Sequence, residues 1–100
     1  MRRERPLLSD WDDANIGHIA RHGIVPAEAE QVLRGASLPI ESEERGGEQR
    51  HAELGTTASG RLLIVAWTRR RQRIRVVTAF PANRRWRAFW RRLKEGGTNA

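Results

Sequence analysis

The side chains in this chain that can move protons or hold phosphate are three histidines and a dense set of arginines. His18 and His22 stand four residues apart, a helical spacing able to chelate zinc. No third ligand accompanies them, cysteine is absent and Asn15 is a poor zinc ligand, so neither a metal site nor a cofactor is assigned. His51 precedes Glu53 by two residues, which places both on one face of a strand. There an imidazole can serve as general base while the carboxylate orients it or titrates with it; the same pair can equally be an exposed strand pair. Guanidinium forks match phosphate oxygens bidentately. Arg50, Arg61 and Arg75 are candidates for that role, against ion pairing with Glu48, Glu53 or the run Glu41-Ser42-Glu43-Glu44. Together these residue types supply proton carriers and phosphate-holding cations, the parts that acid–base chemistry beside a bound phosphate needs.

The charge layout points the same way. Residues 1–60 carry 7 basic and 11 acidic residues, a net of −4, whereas residues 61–100 carry 12 basic and 1 acidic, a net of +11. Three of the four tryptophans and both phenylalanines lie in the basic part. Uncompensated cations interleaved with aromatics suit a polyanion whose bases can stack, and RNA is the expected partner. A GC-rich coding sequence would explain arginine over lysine, but not why the acids stop. One hundred residues allow one small domain over residues 1–100, with a core from about 7 to 94 and flexible ends at 1–6 and 95–100. No apolar run is long enough for a signal peptide or a membrane span, so a cytoplasmic protein is expected.

The elements that must position these residues follow from capping and periodicity. Asp12 caps a helix to about His22, with Trp11 stapled onto Ile16, a core face of Ile16, Ile19 and Ala20, and Gly23 as the stop. Pro26 opens a second helix ending at Gly35, with Ala29, Val32 and Leu33 buried. Residues 36–41 suit a short irregular edge strand, Ser42–Gln49 a polar loop, Arg50–Leu54 a short strand and Gly55–Gly60 a turn. Leu62–Thr68 is apolar on both faces and therefore central. Arg69–Gln72 makes a hairpin loop, and Arg73–Phe80 the next strand, with Arg73, Arg75 and Val77 on one face. Asn83 caps a last helix to about Lys94, whose Trp86, Phe89, Trp90 and Leu93 form one apolar stripe. A further short strand is possible at Leu7-Leu8. The class is α+β: two N-terminal helices, a three- to four-stranded antiparallel sheet and a C-terminal helix.

The ordered motifs Trp11-Asp12, His22-Gly23, Gly47-Glu48-Gln49-Arg50, Leu54-Gly55, Ser59-Gly60-Arg61-Leu62-Leu63 and Ile74-Arg75-Val76-Val77-Thr78-Ala79 resemble the BrnT family of type II toxin–antitoxin toxins, over roughly residues 11–93. The resemblance implies a RelE-like fold and an RNA-cleaving toxin that inhibits translation. It also implies neutralisation by a cognate DNA-binding antitoxin, of ribbon-helix-helix type, in a hetero-oligomer. His22, Arg61 and Arg75 match family positions. The chain departs from the family where a basic pair after the last strand becomes Phe80-Pro81, where Trp86 replaces a glutamate, and where His51 replaces an aromatic. The catalytic candidates are therefore His51, Arg61, Arg75, His22 and Glu53. The RNA-binding candidates are Arg50, Arg69, Arg70, Arg71, Arg73, Arg84 and Arg85. The rival expectation is a non-catalytic nucleic-acid-binding or regulatory module that kept the fold, a reading favoured by Phe80-Pro81.

Overall fold

The computed structural model describes residues 9–98. The possible strand at Leu7-Leu8 lies outside them, as do residues 1–6, 99 and 100. Asp12 caps α1 (Asp13–Ala20) by accepting the amide N–H groups of Ala14 and Asn15, and the Asn15 side chain returns the bond to the Asp12 amide. Past Ala20 the chain closes a Schellman turn: Gly23 N–H donates to Ala20 O and Ile24 N–H to Ile19 O. Gly23 holds φ +75°, the left-handed conformation that makes glycine the stop. α2 (Pro26–Arg34) follows, with Ala29 and Val32 buried.

Four strands form one antiparallel meander: β1 (Leu38–Arg45), β2 (Glu48–Thr56), β3 (Leu62–Arg70) and β4 (Arg73–Pro81), in that spatial order. α3 (Arg84–Thr98) closes the described chain. Asn83 caps it by accepting the Trp86 amide, and it runs past Lys94, where the periodicity placed its end. The α+β class and the element order agree with the sequence reading.

The boundaries differ in instructive places. The expected polar loop 42–49 is instead a tight hairpin: β1 runs to Arg45, and Gly46-Gly47 alone make the turn, with φ +59° and +82°. Paired positive φ values match the twist of the flanking strands. The residues Glu41–Arg45 are exposed on both faces, so no apolar alternation marked this strand. Gly55 belongs to β2 rather than to the following turn. A Cβ there would lie 3.0 Å from Ser37 Cβ and 3.1 Å from Val32 Cγ1, so the glycine admits the close approach of α2 to the sheet. In α1 the buried residues are Asn15 and Ile19, while Ile16 is exposed. α1 packs along β4 through a narrow stripe, and the Asn15 amide donates to Val76 O at 3.1 Å and Asp10 O at 2.9 Å. Trp11 packs on the core instead, its indole N–H donating to Glu30 at 2.7 Å.

The sheet has an apolar cluster on each face. Ile19, Ile24, Ala29 and Val32 of the N-terminal helices and their connection pack on Leu63, Val65, Val76 and Ala79. Ala52, Leu54, Ile64 and Ala82 pack with Phe80, Trp86 and Trp90 under α3. A β-bulge lies opposite Ala66 and Trp67, where Thr78 and Val76 are the paired residues and Val77 is extra. It reverses the alternation of β4, so that Val76 and Ala79 share one cluster although they stand three positions apart. Gly55→Ala should therefore destabilise the fold by about 1–3 kcal/mol through overpacking against Val32 and Ser37. A thermal melt would show this as a lowered Tm; an unchanged Tm would mean that α2 moves freely off the sheet.

Candidate functional site

α3 covers only one end of its sheet face. At the other end an open cavity of about 490 Å³ is lined by Ala14, Asn15 and His18 of α1 and by Glu48, Arg50, Thr68, Arg70 and Arg75–Thr78 of the strands. Its floor is a row across three strands. Arg50 pairs with Thr68, and Thr68 with Arg75. Directly paired residues project to one side of a sheet, so two guanidinium groups flank the buried Thr68. The Thr68 hydroxyl is held by donating to Gln49 O at 2.7 Å.

The arginines of the cavity differ in what they already hold. Arg70 Nε donates to Glu48 at 3.0 Å. Arg75 forks onto Asp12, with Nη1–Oδ2 at 3.1 Å and Nη2–Oδ1 at 3.2 Å, and also reaches the Asp10 carboxylate at 3.5 Å. Arg50 is different: its Nε is buried and has no hydrogen-bond partner among the described residues. A buried donor left unpaired is costly unless something polar reaches it.

Arg61 and Arg75, two of the catalytic candidates, share a structural task and are far apart. Arg61 Nη1 donates to Glu28 at 2.8 Å and to Gly23 O at 3.1 Å, tying the start of β3 to the start of α2. Glu28 also accepts the Val25 amide at the α2 N-terminus. Arg75 does the corresponding work at the N-cap of α1. The two arginines sit near opposite ends of β3, roughly 20 Å apart at strand rise, and the structure does not bring them to one phosphate. The Arg75 fork, with the bond from the Asn15 amide, holds the Asp12 carboxyl below the usual carboxylate range, and Asp12 in turn raises Arg75. The Val25 amide, followed by Arg61, lowers Glu28 against the opposing effect of burial.

His51 and Glu53 lie on the opposite face of the sheet from the cavity. His51 stacks on Trp67 at 4.4 Å, and its Nδ1 is 3.5 Å from Ser42 Oγ. Glu53 accepts the Trp67 indole N–H at 2.9 Å and the Ser37 hydroxyl. His22 meets the Phe80 ring edge-on at 6.0 Å, near the end of α1 and outside the cavity lining. Arg69, Arg71 and Arg73 are exposed around the β3–β4 hairpin, and Arg84 and Arg85 are exposed at the start of α3. Among the described residues no three His, Cys, Asp or Glu side chains converge on a metal position. The sequence reading missed His18 and Thr68 as cavity residues. His18 was visible only as half of a chelating pair; Thr68 looked like one more residue of a central strand.

Residues 11–85 match the family model described as "Ribonuclease toxin, BrnT, of type II toxin-antitoxin system". No curated protein matches the chain. Because folding lowers the affinity of Asp12 and Glu28 for protons, their contribution to stability is complete above the unfolded carboxylate range. It is lost as pH falls through the lower folded values. The Tm should fall below about pH 4, and Asp12→Asn should both lower the Tm at neutral pH by several degrees and flatten its acid dependence. A series of melts from neutral to acid pH checks this; identical slopes for the two proteins would remove the Arg75–Asp12 fork as a stabilising contact.

Proposed function

The chain belongs to the BrnT family of ribonuclease toxins of type II toxin–antitoxin systems, and on that basis we propose that it cuts RNA in the cavity floored by Arg50, Thr68 and Arg70 and walled by His18. The observation that carries this reading is the unpartnered, buried Nε of Arg50 inside a cavity whose other guanidinium groups already hold carboxylates. A scissile phosphate supplies the acceptor that Arg50 lacks, and it competes with Glu48 for Arg70. The reaction suited to these groups is in-line attack of the 2′-hydroxyl on the adjacent phosphorus. The bond from phosphorus to the 5′-oxygen breaks, leaving a cyclic phosphate and a free 5′-hydroxyl. The arginines neutralise the pentavalent phosphate, so no metal ion is required, and His18 carries the proton. Arg69, Arg71 and Arg73 on the adjoining hairpin hold the flanking backbone through counterion release. Arg75 keeps its carboxylates and orients α1 rather than gripping the phosphate.

In the cell this activity degrades messenger or ribosomal RNA in the cytoplasm and stops translation. A small DNA-binding antitoxin of ribbon-helix-helix type neutralises it in a hetero-oligomer. Phe80 packs in the apolar cluster under α3, and Pro81 ends β4 opposite Leu63. The departure from the family's basic pair is thus absorbed by packing, with the cations of the cavity drawn from the strands.

The test is cleavage of end-labelled single-stranded RNA by purified protein in the presence of a chelator. Arg50→Ala should lower the rate at least ~100-fold, the loss expected for one donor to a developing charge, and His18→Gln by a similar factor. His51→Gln and Glu53→Gln should cut at the wild-type rate. Loss on His51→Gln with full activity in Arg50→Ala would move the chemistry to the Trp67 face. RNA bound but never cut would favour the non-catalytic module.

A further inference from the structure

α3 presents a second surface that the cavity does not use. Its Trp86 and Trp90 pack towards the sheet, but Phe89 is 36% and Leu93 43% exposed. Trp86, Ala88 and Phe89 form one wall of a groove whose other wall is Leu38, Pro39 and Ile40 of β1. Phe89 is braced edge-on against Trp86 at 5.5 Å. Arg85 and Arg92 also line the groove, and no acidic residue does. Seven residues apart on one helix, they stand two turns, about 10 Å, from each other on the same side, with Phe89 between them.

Both features constrain the occupant. The walls are apolar side chains from two elements, which a phosphate chain cannot cover but the apolar face of a polypeptide can. The cations at either end call for carboxylates spaced along that polypeptide. We infer that this groove seats an acidic amphipathic segment of the antitoxin, with its apolar residues against Phe89 and Ile40 and its carboxylates on Arg85 and Arg92. The inference rests on the toxin–antitoxin reading above and adds the place and chemistry of the contact. The groove shares no lining residue with the cutting cavity, so recognition and catalysis use different residues.

The test is titration of the full-length chain with the purified antitoxin, taken as the protein encoded beside it, over a range of salt. Phe89→Glu and Leu93→Glu should each weaken binding at least tenfold. Arg85→Glu with Arg92→Glu should weaken it at low salt and flatten its salt dependence. Phe89→Glu should cut RNA at the wild-type rate. Thermal melts confirm the fold of each variant, and Leu93→Glu serves where the loss of the Phe89–Trp86 contact lowers the Tm. Antitoxin affinity indifferent to all of these changes would overturn the inference. So would a loss confined to RNA binding, which would make the groove an RNA track, or to self-association, which would make it a dimer face. A chain that binds the antitoxin through Phe89 but cuts no RNA would leave this inference standing and remove the cleavage reading. A chain that cuts RNA while its antitoxin binding ignores Phe89 would do the reverse.

Discussion

The fork between Arg75 and Asp12 is the contact on which the arrangement of the cavity depends. A helix of eight residues is too short to be stable alone, so α1 needs both its cap and a tertiary anchor. Asp12 provides both at once: its carboxylate accepts the first amides of the helix and takes the guanidinium of a strand residue. Asn15, one turn on, returns a bond to the Asp12 amide and reaches the β4 backbone. The helix is thereby held at a fixed height along β4, and His18 comes to the rim of the cavity. Arg61 and Glu28 repeat the device for α2. In each case an arginine at a strand takes a carboxylate already engaged at a helix N-terminus, so cap and anchor form together.

The second constraint is the bulge at Val77. Without it, Val76 and Ala79 would face opposite sides of the sheet, and one of them would leave the cluster beneath the N-terminal helices. The bulge restores a continuous core there and puts Arg75 on the cavity side, in register with Thr68. α3 then covers only the half of that face built from Ala52, Leu54, Ile64 and Ala66. The uncovered half begins where the strand residues change from apolar to Arg50, Thr68 and Arg70. Cavity and core are two ends of one face, divided by composition along the same strands.

Much of this was legible in the residues, and the failures have physical causes. Caps and stops were readable because Asp12, Gly23, Pro26 and Asn83 act locally. β3 was recognisable as central because both its faces are apolar. The sequence pattern shows only the first part of β1, because an edge strand exposed on both faces carries no periodic signal and Gly46-Gly47 has the composition of a loop. Gly55 has the look of a turn residue in sequence, since nothing local reveals that Val32 approaches it from α2. The site was harder still. Arg61 and Arg75 looked equivalent as cations on neighbouring strands, but whether a guanidinium is spent on a carboxylate or open to a ligand depends on contacts across about 60 residues, as with Arg75 and Asp12. His51 and Glu53 were correctly placed on one face of a strand. Which face that was could not be told without knowing where the helices pack.

The internal ion pairs also bear on how a basic chain can fold with a cationic cavity. Arg50, Arg70 and Arg75 converge on a small volume, and three bare guanidinium groups would repel one another. Asp10, Asp12 and Glu48, all from the acidic part of the chain, neutralise two of the three. The acidic N-terminal portion and the basic C-terminal portion are thus complementary halves of one electrostatic design, in which the acids enter the same clusters as the arginines they offset. What remains in the cavity is the Nε of Arg50, a buried donor without a partner among the described residues, set among neighbours whose charges are already balanced. On the proposed reading, such a site takes one phosphate locally without holding polyanions indiscriminately, because most of its charge is not available for exchange. On that reading the exposed Arg69, Arg71 and Arg73 of the β3–β4 hairpin supply the longer-range attraction, and the cavity sets where the RNA is gripped.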